Sequence, residues 1–212
     1  MKKSYEILNL HPINEERRRR GLKPANSAWF WGAGTRPSLA PFEEKTGKKG
    51  VMISAVDLLK GIAVGAGMDR VIVEGANGGL HTNYAGKADA AVDALLHQGY
   101  DFAYVHVEAP DEMGHQGSVA DKITAIEQVD EKVVGRIVEG LDEAGEDYRI
   151  MVLPDHPTPI CVRTHTSEPI PYLIYDSRRT VDGVHTYSEV KAAESEWKWP
   201  EGYRLIEHLL EI

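Results

Sequence analysis

Apolar runs and helically spaced apolar positions alternate along the chain from about residue 52 onward. Short runs rich in Val, Ile, Tyr and Phe predict strands, and apolar residues at three- and four-residue steps predict helices. The predicted strands are residues 70–74, 102–107, 149–153 and 172–175, and the predicted helices are residues 54–63, 86–96, 118–141 and 203–210. This alternation predicts an α/β fold with a mainly parallel sheet.

Two helices have additional signals. Ser54 is the predicted N-cap of the first, since Asp57 follows three residues later. The helix over residues 118–141 is the longest, with a single apolar stripe that we expect to face the core. Its stripe consists of Ile123, Ile126, Val129, Val133, Ile137 and Leu141.

Charge and cysteine content exclude several classes of protein. Lys and Arg number 24 against 33 Asp and Glu, a formal net charge of −9, which disfavours unspecific binding to nucleic acid or to an anionic membrane. Cys161 is the only cysteine, which fits a reducing compartment. The N-terminus has no apolar signal-peptide core, and no apolar run approaches the roughly 20 residues of a membrane span. We therefore expect a cytoplasmic protein without nucleic-acid or membrane partners.

Carboxylates and imidazoles follow two of the predicted strands. Asp111 and His115 come after residues 102–107, and Asp155 and His156 after residues 149–153, with His165 nine residues further on. Ligands of open α/β sheets bind beyond the carboxyl ends of the strands, so two neighbouring strands would bring these donors to one edge. Such oxygen and nitrogen donors suit Mn²⁺ or Zn²⁺, and Co²⁺ as well. The pattern predicts a metal site that handles phosphate, without an evident nucleophile.

Seven segments of the chain resemble the archaeal type of cofactor-independent phosphoglycerate mutase in the alkaline phosphatase superfamily. Three contain the candidate ligands, VHVEAPDEMGH, VLPDHPTP and HTSEPIP, and four lie upstream, HPIN, PANSAWFWGAG, GVMISAVDLLKGIAVGAGM and HTNYAGKADAA. The resemblance implies an alkaline-phosphatase-like three-layer core with a mainly parallel sheet, incomplete here, plus part of an inserted α/β domain. Residues 1–80 would be the C-terminal part of the inserted, substrate-clamping domain. Residues 81–212 would be the C-terminal part of the metal-binding core.

The resemblance also implies two metal sites. Asp111, His115 and His165 match the ligands of the first. Asp155 and His156 match two ligands of the second, whose remaining Asp and Ser or Thr nucleophile have no counterpart in this sequence. We therefore expect one complete and one half site.

By the same resemblance, Arg17 and then Lys87 are the candidates for substrate binding. The implied reaction is the glycolytic isomerisation of 3-phosphoglycerate to 2-phosphoglycerate through a phosphoserine or phosphothreonine. No catalytic nucleophile is assigned in this chain, so we expect it to be inactive alone.

Two alternatives stay open. The chain is either related to another phosphomonoester mutase or phosphatase with the same ligands, or is an inert metal-binding fragment that needs a second polypeptide. An open sheet edge would also allow self-association.

Other conspicuous residues have structural interpretations. We expect His106 to be a hydrogen-bonded strand residue and Cys161 to be a small buried thiol. Trp29 and Trp31 are expected to pack in a core or between domains.

Overall fold

The computed structural model describes residues 1–30, 32–35, 37–179, 181, 183 and 185–211, and it has the predicted α/β fold class with a parallel sheet. The chain divides into two compact units, Met1–Ser38 and Leu39–Ile212. No helix in the described ranges is long and apolar enough to cross a membrane.

The helices are α1 (Lys2–Leu8), α2 (Pro12–Arg19), α3 (Phe42–Thr46), α4 (Asp57–Gly65), α5 (Tyr84–His97), α6 (Ala109–Gln116), α7 (Val119–Val129), α8 (Arg136–Ala144), α9 (Glu189–Glu194) and α10 (Leu205–Leu210). A π-helical segment, Asp130–Gly135, joins α7 to α8, and a 3₁₀ turn, Gly202–Arg204, precedes α10. The strands are β1 (Gly50–Ile53), β2 (Asp69–Val71), β3 (Phe102–Val105), β4 (Arg149–Val152) and β5 (Leu173–Asp176).

The first unit is organised around the buried side chain of Asn14. Its Nδ2 donates to the carbonyl oxygens of Leu8 (2.7 Å) and Ala25 (3.0 Å), and its Oδ1 accepts from the Ala25 N–H at 2.8 Å. Helix α2 begins at Pro12, a favoured first helical residue, and the preceding His11 accepts from the Ile13 N–H. The HPIN segment therefore starts a helix and fastens the PANS segment to it.

The second unit is built on a parallel sheet with the order β2-β1-β3. All four residues of the central strand β1 are buried, as expected for a strand covered on both faces. Helix α5 packs on the sheet and against the long helical segment, and the core between them is formed by Ile53, Tyr84, Ala88, Ala91, Val133, Ile137 and Leu141, among others.

The long predicted helix is present, but its apolar stripe is only partly buried. Val133, Ile137 and Leu141 are buried as expected, whereas Ile123 and Ile126 are each 52% exposed. The π-helical segment begins after the exposed group and contains Val133, the first residue of the buried group. A π turn has i→i+5 hydrogen bonds, so it changes the direction in which a regular stripe points.

The predicted start of the helix over residues 54–63 is wrong. Helix α4 begins at Asp57 with Val56 as its N-cap. Ser54 is buried in the preceding turn, where its Oγ accepts from the Val56 N–H at 3.0 Å and lies 3.3 Å from Nδ1 of His106. The serine hydroxyl therefore organises the turn after β1 and does not cap the helix.

Strands β4 and β5 form a separate antiparallel pair in register Arg149↔Asp176. The expectation that β3 and β4 are neighbours in one sheet is therefore wrong within the described part of the chain. The loop between β4 and β5, not a shared sheet edge, brings the second ligand segment to the first.

Two packing expectations are also wrong. Trp29 is 76% exposed and Cys161 is exposed, because both lie in loops outside the core. Trp31 lies outside the described residues. His106 is hydrogen-bonded through its backbone and side chain, as expected, but it lies just after β3 and not within the strand.

Candidate metal centre

The first two predicted ligands lie on α6, directly after β3. This helix begins at Ala109 with Pro110 in its first turn and ends at Gln116, and the capping Gly117 has a φ of +74° in the left-handed region that glycine favours. Residues four apart share a helix face, and Oδ2 of Asp111 lies 3.3 Å from Nε2 of His115. Helix α6 is separate from the long α7–α8 segment.

His165 completes a group of three donors from the β4–β5 loop. Its Nε2 lies 3.3 Å from Oδ1 of Asp111 and 3.2 Å from Nε2 of His115. One donor atom from each residue lies within 4.8 Å of the others. A carboxylate oxygen and two imidazole nitrogens converging in this way fit a divalent cation such as Zn²⁺ or Mn²⁺, and three protein ligands leave room for a substrate oxygen.

The backbone of the same loop orients His115. Its Nδ1 lies 3.0 Å from the carbonyl oxygen of Arg163, and Arg163 has a φ of +57° in a turn closed by its N–H to the Pro159 carbonyl at 2.8 Å. A proton on Nδ1 leaves Nε2 with a free lone pair, which is the form that binds metal. The Arg163 carbonyl, and then the Asp111 carboxylate, raise the pKa of His115 against the opposing effect of burial.

The second predicted pair lies beside this group without joining it. The His156 ring is 3.7 Å from the His165 ring, centroid to centroid, and its Nε2 is 3.3 Å from Oδ2 of Asp155. The Asp155 side chain is 66% exposed. Within the described residues these two donors do not form a group of three with another His, Cys, Asp or Glu.

Thr158 connects the group of three ligands to the Asp155–His156 pair, and the sequence pattern did not indicate this connection. Its side chain is buried, its Oγ1 donates to Oδ1 of Asp111, and the same oxygen lies 3.3 Å from Nδ1 of His156. Nζ of Lys122, on α7, donates to the Thr158 carbonyl at 2.7 Å. A Cβ at Gly114 would lie 2.5 Å from that carbonyl oxygen, so the glycine of the DEMGH segment permits the close approach of the loop to α6.

Lys87 and Glu108 lie near the segment that joins β3 to α6. Lys87 is fully buried and its Nζ donates to the His106 carbonyl at 2.9 Å. Burial lowers the pKa of Lys87, and the Glu108 carboxylate partly opposes this. Burial, followed by the Glu112 and Asp111 carboxylates, raises the pKa of Glu108. In the structure the Lys87 ammonium is therefore hydrogen-bonded to the backbone carbonyl that follows β3. Its predicted contact with substrate stays a prediction.

Arg17 lies in the first unit, on α2. Its Nε donates to the Lys23 carbonyl at 2.9 Å, a contact that closes the end of the helix. Its predicted role in substrate binding also stays a prediction.

Comparison with known proteins places these residues among metalloenzymes. A family model described as the metalloenzyme superfamily matches residues 7–196. The 2,3-bisphosphoglycerate-independent phosphoglycerate mutase of Methanothrix thermoacetophila is 48% identical over 210 residues, which cover 99% of this chain and 53% of that protein. The 2,3-bisphosphoglycerate-independent phosphoglycerate mutase 2 of Methanothermobacter thermautotrophicus is 44% identical over 211 residues, which cover 100% of this chain and 52% of that protein.

Solved structures show the same fold. A Pyrococcus horikoshii protein superimposes with a TM-score of 0.85 at 33% identity, covering 99% of this chain and 54% of that chain. The cofactor-independent phosphoglycerate mutase of Thermoplasma acidophilum gives a TM-score of 0.61 at 26% identity, with 99% and 49% covered. The chain thus spans about half the length of the curated relatives it matches.

Proposed function

The chain belongs to the metalloenzyme superfamily, and on that basis we propose that Asp111, His115 and His165 bind a divalent cation that serves phosphoryl transfer. The observation that supports this proposal is the convergence of one carboxylate oxygen and two Nε2 atoms from α6 and the β4–β5 loop. Mn²⁺ and Zn²⁺ are the proposed ions, and Co²⁺ would be accepted.

We further propose that Asp155 and His156 are half of a second metal site. The position of the His156 ring against the His165 ring supports this, since two ions that serve one phosphoryl group must lie close together. The remaining ligands and the nucleophile are proposed to come from residues outside this 212-residue sequence.

The proposed reaction of a protein that contains these residues is the conversion of 3-phosphoglycerate to 2-phosphoglycerate through a phosphoserine or phosphothreonine. This isomerase activity is the one for which the similar proteins are named. A bound divalent ion would neutralise charge on the phosphoryl oxygens. Within the chain, the Arg163 carbonyl holds His115 in its metal-binding tautomer, and Lys122 places a positive charge near Asp111.

Three finer parts of the proposal rest on the family pattern, and a fourth, self-association, rests on the sheet. Arg17 and Lys87 are the proposed substrate-binding side chains, and Lys87 would have to leave the His106 carbonyl to reach substrate. Residues 1–80 and 81–212 are the proposed domain segments. Self-association through a sheet edge is proposed because β4 and β5 form a sheet of only two strands in the described residues. Phosphoglycerate is the proposed substrate.

Metal titration tests the proposed site directly. Calorimetric titration of the metal-free chain with Mn²⁺ or Zn²⁺ should show a single tightly bound ion, lost in His115→Ala. His97→Ala is the matched control, because His97 is an exposed histidine at the end of α5. Two equally tight ions, or none, would contradict the model of one complete and one half site.

Activity assays separate the proposed function from its alternatives. The purified 212-residue chain should not convert 3-phosphoglycerate, since no nucleophile is assigned in it. Turnover that disappears in His115→Ala would show this part of the proposal to be wrong. Hydrolysis of p-nitrophenyl phosphate without mutase activity, in a protein that contains the missing ligands, would favour the phosphatase alternative.

A further inference from the structure

Thr158 occupies a buried position between the two ligand segments. The residue is 4% exposed and lies two residues after His156, in a loop closed by a hydrogen bond from the Thr166 N–H to the Pro157 carbonyl at 3.1 Å. The Thr158 carbonyl is also fixed, by Nζ of Lys122 at 2.7 Å. The hydroxyl is thus held in one place and contacts both Asp111 and His156.

The protons of these contacts can be counted. A threonine hydroxyl has one proton, and an ionised carboxylate is an acceptor only. The Thr158 hydroxyl therefore donates its hydrogen bond to Oδ1 of Asp111, because hydrogen bonds to a charged acceptor are stronger than those to a neutral one. The remaining contact, at 3.3 Å, is then satisfied only if Nδ1 of His156 donates to Oγ1. With Nδ1 bare, its lone pair would face an oxygen lone pair.

A competing influence acts on the other nitrogen of the ring. Oδ2 of Asp155 lies 3.3 Å from Nε2 of His156 and favours a proton there. The Asp155 side chain is 66% exposed, however, so water screens its charge. The Thr158 hydroxyl is buried, where an unmatched polar contact costs more. The buried contact should decide the tautomer.

We infer that Thr158 is a positioning residue that holds the Asp111 carboxylate and keeps His156 in the Nδ1–H tautomer, with Nε2 bare on the side of Asp155. The inference deepens the proposed metal-binding function and rests on it for the affinity of the site. The tautomer of His156 is a separate consequence that can be measured without metal.

Nitrogen-15 NMR tests the tautomer. The labelled chain is measured with a chelator at about pH 8, above the ordinary histidine pKa, and the His156 signal is assigned by its loss in His156→Gln. We expect Nδ1–H in the wild type and in Thr158→Ser, and a shift towards Nε2–H in Thr158→Val, which has the shape but not the hydroxyl. Nε2–H in the wild type, or no change in Thr158→Val, would overturn the inference.

Metal affinity provides the second measurement. Loss of an outer-shell hydrogen bond commonly weakens metal binding about 10- to 100-fold, so Thr158→Val should bind Zn²⁺ that much more weakly and Thr158→Ser close to normally. Thr82→Val is the matched control, because Thr82 is also buried and its Oγ1 accepts one bond, from the Asn77 N–H at 2.9 Å. Unchanged affinity in Thr158→Val would overturn the positioning role.

The two measurements fail separately. A wild-type chain that binds no metal but shows Nδ1–H on His156, altered by Thr158→Val, would contradict the proposed function and support the tautomer. A chain that binds metal but has its His156 proton on Nε2 would contradict only the role of Thr158, and not the proposed metal site. Wild-type and Thr158→Ser spectra decide the tautomer even where Thr158→Val does not fold.

Discussion

Replacing Gly114 by alanine should separate α6 from the ligand loop. A Cβ at this position would lie 2.5 Å from the Thr158 carbonyl oxygen and 2.9 Å from Nζ of Lys122. The lysine is flexible, but the carbonyl is backbone. Since carbon–oxygen contacts are normally about 3.3 Å or longer, the loop would have to retreat by about 0.8 Å.

The size of the effect follows from a matched control. Gly61 lies inside α4, and a Cβ there would meet no atom within 4 Å. Gly61→Ala should therefore stabilise the chain by about 0.5–1 kcal/mol, through helix propensity alone. Gly114→Ala gains the same propensity within α6 but adds overpacking, which costs about 1–3 kcal/mol. The difference between the two variants isolates this overpacking cost.

Urea denaturation and Mn²⁺ titration of both variants check this expectation. Gly114→Ala should be about 1–3 kcal/mol less stable than Gly61→Ala, and should bind metal about 10- to 100-fold more weakly, since Thr158 would lose its contact with Asp111. Gly61→Ala should keep wild-type affinity. Equal stability and equal metal affinity in the two variants would refute the close contact between α6 and the loop.

Two further predictions concern stability. Asp176 accepts hydrogen bonds from Arg178 and Arg149, and these partners hold the pKa of its carboxyl well below the usual range. The ionised Asp176 carboxylate therefore stabilises the fold fully above the unfolded pKa of about 4, and this stabilisation is lost as the pH falls further. The loss of unfolding free energy in Asp176→Asn, measured by urea denaturation, should therefore shrink on acidification. A loss that does not change with pH would contradict the ion-pair explanation. Mn²⁺ at about 100 times its Kd should stabilise the chain by about 2.7 kcal/mol, or about 5–10 °C in Tm for a chain of this size; the same rise in His165→Ala would place the ion elsewhere.

The sequence predicted those parts of the site that depend on local spacing. Asp111 and His115 share a face because they are four residues apart on a helix. The sequence pattern named His165 as a candidate ligand, the family resemblance grouped it with these two residues, and the structure places its Nε2 beside them. The predicted helices and strands are present with shifts at their ends, because apolar periodicity marks the middle of an element better than its caps.

The remaining parts of the site depend on contacts between distant segments. Thr158 and Asp111 are 47 residues apart, and His115 and the Arg163 carbonyl are 48 apart. Neither partner has an unusual residue type or a recognisable spacing. The pairing of β4 with β5 is of the same kind, because an apolar run does not encode which strand lies beside it. Only the folded chain shows these relationships.

Anomalous diffraction from crystals of the chain loaded with Zn²⁺ would test the central claim most directly. We expect an anomalous peak about 2.0–2.2 Å from a carboxylate oxygen of Asp111 and from Nε2 of His115 and His165, with Nδ1 of His115 still on the Arg163 carbonyl. A peak elsewhere, or a ligand bond through Nδ1 of His115, would contradict the proposed centre.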